Sequence, residues 1–60
     1  MRVTAGVNKM VMEQMLNGRG INPSITKNML MQANQSSFYQ DSRRSLFYSA
    51  KTNKYTMVEA

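Results

Sequence analysis

The side chains best suited to chemistry in this chain are a group of basic and aromatic residues toward its C-terminal end. They are Arg43, Arg44, Phe47, Tyr48, Lys51 and Lys54. Cations of this kind contact phosphates, and aromatic rings stack on exposed bases. The group therefore predicts a nucleic-acid-binding face. The same residues are also typical of a solvated basic face with aromatics anchored in the core, and they could contact an anionic membrane surface.

A second stretch with possible chemistry is NGRGINPS, which runs over residues 17–24. Phosphate-binding glycine loops follow a strand and carry either a Lys-Ser/Thr pair or a third glycine at fixed spacing. Neither feature is present here. The stretch instead predicts the end of one helix at Asn17-Gly18, a short joint, and the start of the next helix at Asn22-Pro23.

Catalytic and metal-binding chemistry has little support in the composition. The chain has no cysteine and no histidine, and its three acidic residues, Glu13, Asp41 and Glu59, lie far apart in sequence. Zinc sites need Cys or His ligands, and an activated nucleophile needs a neighbouring base. We therefore expect no catalytic residues, no metal and no cofactor, and a protein that is not an enzyme.

The net charge favours an acidic partner. Eight Lys and Arg residues against three acids give +5 at pH 7. Nucleic acid, a membrane surface or an acidic protein would be attracted to this charge, although many small proteins are basic without such a role.

Hydrophobic periodicity predicts a mainly α fold with short helices over residues 4–16, 23–35 and 37–50, followed by an irregular tail. Thr4 is a candidate cap for the first helix, and Asn22 with Pro23 for the second. An α+β alternative stays open, because residues 45–50 and 55–59 are rich in strand-forming side chains around a polar turn. They would then form a C-terminal hairpin.

The methionine content indicates protein interaction. Seven residues of 60 are Met, and the apolar side of the first helix covers about two-thirds of its circumference, more than a surface helix needs. Met side chains adapt readily to binding surfaces. The expected interface consists of Val7, Val11, Met12, Met15, Leu16, Met29 and Met31.

The resulting hypothesis is a small, non-enzymatic helical accessory protein of phage or bacterial type, with residues 1–60 as one domain. A domain this short is marginally stable alone, so we expect a homo-oligomer or docking on a larger protein assembly. The alternative is a small basic nucleic-acid-binding or regulatory protein. No run approaches the roughly 18 apolar residues of a membrane span, and we expect a cytoplasmic location.

Overall fold

The computed structural model describes residues 1–60 and shows an α+β fold, so the mainly α prediction is wrong. Two helices pack on one side of a four-stranded antiparallel sheet. In chain order the elements are β1 (Arg2–Val3), α1 (Lys9–Gly18), α2 (Pro23–Ser36), β2 (Phe38–Gln40), β3 (Arg44–Ser49) and β4 (Lys54–Glu59). The strands lie in the order β1-β4-β3-β2.

Helix α1 begins at Lys9 and not at Thr4. Asn8 caps it, since its side-chain oxygen accepts a hydrogen bond from the Val11 N–H at 2.9 Å. The preceding residues are extended along β4. The Thr4 N–H donates to the Met57 carbonyl, and Val7 exchanges two backbone hydrogen bonds with Tyr55. Residues predicted to form the first helical turns therefore complete the sheet instead.

The joint between the helices follows the sequence signals closely. Asn22 accepts a hydrogen bond from the Ser24 N–H, and Pro23 occupies the first helical position, as expected for a helix start. One detail differs at the end of α1. Gly18 is still helical, and Gly20 is the residue with a positive φ, of 85°.

The predicted third helix over residues 37–50 is wrong, because that segment forms β2 and β3. Ser37 takes a left-handed conformation with φ 68°, which ends α2. Asp41 then stabilises the turn between the two strands by accepting hydrogen bonds from the N–H groups of Arg43 and Arg44. The aromatic residues on either side favour strands over helices.

The expected irregular tail is strand β4, which pairs with β3 from Arg44↔Glu59 to Ser49↔Lys54. This hairpin is the one that the α+β alternative places at residues 45–50 and 55–59. Its turn ends at Asn53, a residue type that tolerates the positive φ of 58° found there.

The hydrophobic core lies between the helices and one face of the sheet. The core residues are Met12 and Leu16 from α1, Met29, Leu30 and Ala33 from α2, and Leu46, Tyr55 and Met57 from the sheet. Thr26 is the buried polar residue of α2, and its hydroxyl donates to the Asn17 side chain at 2.8 Å. This hydrogen bond ties the two helices together while satisfying a group that would be costly to bury alone.

A buried and an exposed methionine allow a test of the core packing. Met57 is 1% exposed on β4, whereas Met31 is 55% exposed on α2. We expect Met57→Ala to lower the free energy of unfolding by about 2–5 kcal/mol, through lost burial and the cavity it leaves. Met31→Ala should change it by less than about 0.5 kcal/mol. Urea unfolding followed by circular dichroism measures both values, and similar small effects at the two positions would contradict a buried β4.

Candidate nucleic-acid interface

One face of the sheet has no helix over it. Side chains alternate across a strand, and Leu46, Tyr55 and Met57 point toward the helices. Their neighbours in sequence therefore point the other way. We call these outward side chains the open face: Val3, Phe38, Gln40, Ser45, Phe47, Ser49, Lys54, Thr56 and Val58.

Two phenylalanines lie side by side on the open face, one on the inner strand β3 and one on the edge strand β2. Phe38 on β2 and Phe47 on β3 are directly opposite each other in the strand pairing. Their ring centroids are 4.9 Å apart with a tilt of 42°, a favourable geometry for an aromatic pair. Their exposed fractions are 41% and 43%, so each ring still presents surface to a partner.

The turn between β2 and β3 places Arg43 and Arg44 at one end of the sheet. Asp41 receives two backbone hydrogen bonds there and an ion pair from Arg44 Nη1 at 3.0 Å. Burial raises the pKa of Asp41, but the hydrogen bonds and the Arg44 charge outweigh it and hold the pKa below its ordinary value. The ionised carboxylate is thus part of what shapes this turn.

All four arginines of the chain meet at this end of the molecule. They line a cavity of about 530 Å³ together with Met1, Glu59 and Ala60. We call it the arginine cavity; its arginines are Arg2, Arg19, Arg43 and Arg44. Glu59 lies between two of them, with Oε1 2.9 Å from Arg19 Nε and Oε2 3.7 Å from Arg44 Nε.

The remaining predicted nucleic-acid residues do not join this cluster. Lys51 lies in the turn after β3 and Lys54 starts β4, so both are at the opposite end of the sheet from Arg43. Tyr48 lies on the helix-facing side, where its ring contacts Tyr55 at 4.7 Å between centroids and its hydroxyl donates to Asn53 Oδ1. Of the predicted set, Phe47 and Lys54 are on the open face.

The structure also separates the predicted protein-interface residues. Met12, Leu16 and Met29 are fully buried, and Val7 and Met15 are partly buried against the same core. Val11 and Met31 remain exposed. In this fold, most of the expected interface is occupied by intramolecular packing.

Three residues of the site were not anticipated from the sequence. A strand prediction for this segment would have placed Phe38 and Gln40 on one face and Tyr39 on the other. Arg2 and Arg19 carry no local signal, because they approach Arg43 and Arg44 only through the fold.

Comparisons with protein-family models, with curated proteins and with solved structures found no significant match. Neither helix of the fold has the length and apolar character needed to cross a membrane.

Asp41 gives a testable pH dependence. Because its folded pKa is lowered from the ordinary value of 3.8, the carboxylate stabilises the fold above that value, and this contribution is lost as the pH falls through the folded pKa. We expect the free energy of unfolding to drop between about pH 5 and about pH 2 less steeply in Asp41→Asn than in the parent chain. Urea unfolding at a series of pH values provides the comparison, and equal slopes would contradict the assignment.

Proposed function

We propose that the protein is a small, non-enzymatic nucleic-acid-binding protein whose open face binds a single strand. The observation that carries this proposal is the exposed Phe38–Phe47 pair on an uncovered sheet, in a chain with a net charge of +5. Rings for stacking and cations for phosphates are the two components that single-strand binding combines.

The aromatic pair is unusual for a solvent-facing sheet surface. The outward face of an antiparallel sheet is ordinarily polar, yet here two phenylalanines and the exposed Val3 occupy it. A planar apolar ligand would cover the rings, and nucleic-acid bases have such faces. Stacking of this type contributes about 1–3 kcal/mol per base.

Cations lie toward both ends of the open face. Arg43 is four residues from Phe47 along the chain, roughly 13 Å at about 3.3 Å per residue. Arg43 lines a shallow depression together with Gln40, Ser45 and Val58 of the open face. Lys54 provides a cation at the other end of the open face. A strand stacked on the phenylalanines therefore has a cation toward each end.

Self-assembly through a methionine-rich surface remains a prediction with less support. Its expected contact residues include Met12, Leu16 and Met29, and these side chains already pack inside the domain. The exposed pair Val11 and Met31 is what remains for that role.

Fluorescence anisotropy with a labelled single-stranded oligonucleotide tests the proposal. Phe47→Ala should weaken binding roughly 5- to 150-fold, the equivalent of about 1–3 kcal/mol of lost stacking. Met31→Ala is the matched control, because it removes an exposed apolar side chain from the helical side, and it should leave the affinity unchanged. Affinity should also fall steeply with salt.

A second variant separates stacking from general hydrophobic contact. Phe47→Leu keeps an apolar side chain but lacks a ring, so it should bind nearly as weakly as Phe47→Ala. Wild-type affinity in Phe47→Leu would contradict base stacking. Light scattering that shows a dimer broken by Phe47→Ala would assign the open face to self-association instead.

A further inference from the structure

The arginine cavity has features that the open face does not explain. The chain's four arginines come from four separate places: β1, the end of α1, the β2–β3 turn and the start of β3. Guanidinium groups of like charge repel one another, and one carboxylate side chain, that of Glu59, lines the cavity with them. The side chains of the lining carry four positive charges and one negative, and the ion pair of Arg44 with Asp41 reduces the local excess to two.

Two of the arginines are held in place by the fold. Arg19 donates to Glu59 Oε1 at 2.9 Å and to the Met15 carbonyl at 3.0 Å. Arg44 donates to Asp41 at 3.0 Å. These contacts fix the two guanidinium groups before any ligand arrives, which reduces the entropy lost on binding.

The cavity also contains unused hydrogen-bond donors. Arg2 and Arg43 are exposed and take part in none of the ion pairs of the structure. Arg44 Nε is buried without a hydrogen-bond partner, since Glu59 Oε2 is too far away at 3.7 Å. Because this Nε is buried, the donors free to reach a ligand are the side chains of Arg2 and Arg43.

We infer that the arginine cavity binds a phosphate monoester or free phosphate as its dianion. Such a group carries a charge of about −1.5 to −2 at pH 7 and three strong acceptor oxygens, which suits the excess positive charge. Arginine binds it through paired N–H donors. Only the source of the ligand rests on the proposed function: in a nucleic-acid complex, the cavity would hold the terminal phosphate of a strand lying on the open face.

Titration with inorganic phosphate tests the cavity without any nucleic acid. Two-dimensional NMR of the whole chain should show saturable shifts of the Arg Nε–H signals and of the amides of residues 42–45 and 59. Sodium chloride at equal ionic strength is the control and should leave these signals in place. Signals that do not saturate, or that move equally with chloride, would overturn the inference.

A matched pair of double variants separates the site from the overall charge. Arg2→Gln with Arg43→Gln removes two exposed cations of the cavity, and Lys51→Gln with Lys54→Gln removes two from the opposite end of the sheet. The first should weaken phosphate binding by about tenfold or more for each guanidinium lost. The second should leave it nearly unchanged, and equal losses would overturn the inference.

The pH dependence provides an independent readout. Phosphate becomes a monoanion below its second pKa of about 6. Phosphate binding should therefore weaken between about pH 7.5 and about pH 5. Sulfate remains a dianion over this range, so a change in its affinity would report an effect of pH on the protein itself, whose acids beside the arginines of the cavity are Glu59 and Asp41. An equal loss with both anions would contradict recognition of the phosphate dianion.

Oligonucleotides of one sequence, with and without a terminal phosphate, identify the source. Tighter binding of the 5′- or 3′-phosphorylated strand, abolished in the Arg2→Gln, Arg43→Gln variant, would support a strand end as the ligand. Phosphate binding without any preference for phosphorylated strands would support a site for free phosphate. If the open face fails to bind nucleic acid, the phosphate titration still decides whether the cavity is an anion site.

Discussion

The rest of this structure depends on one constraint: its two helices cover one face of the sheet and not the other. The core residues of α1 and α2 pack against Leu46, Tyr55 and Met57, and this single apolar layer accounts for the burial that a small domain needs. Once both helices are on that side, the opposite face of the sheet is uncovered. The exposed Phe38–Phe47 pair is thus a consequence of how the core is built, and it is also the surface available to a ligand.

A second consequence concerns the ends of the strands. Glu59, near the C-terminal end of β4, forms ion pairs with Arg19 at the end of α1 and with Arg44 at the start of β3. These contacts join three elements that are distant in sequence, and they hold two guanidinium groups at the rim of the sheet. Surface ion pairs contribute little to stability when isolated. Their importance here is geometric, since they gather the arginines around one cavity.

The open face and the arginine cavity are adjacent, because Arg43 lines both the cavity and a depression that contains Gln40, Ser45 and Val58 of the open face. The open face and the arginine cavity can therefore belong to one binding surface. Three of the seven methionines belong to the hydrophobic core. Met12, Met29 and Met57 fill the interior of a small core, where flexible side chains adapt to irregular gaps, and Met31 is one of those left at the surface.

The sequence by itself determined the local signals: the Asn22-Pro23 helix start, the break after α1, the net charge, and the lack of Cys and His for metal or thiol chemistry. It also indicated the C-terminal hairpin as an alternative, but periodicity could not choose between helix and strand for residues 37–50. That choice depends on partners far away, because β3 is stable only when β4 and β2 pair with it and the helices cover Leu46. Tertiary structure alone decided that Val7 joins the sheet, that Tyr48 faces inward, and that Arg2 and Arg19 meet Arg43 and Arg44. The physical reason is that strand pairing and burial are long-range interactions, whereas caps and turns act within a few residues.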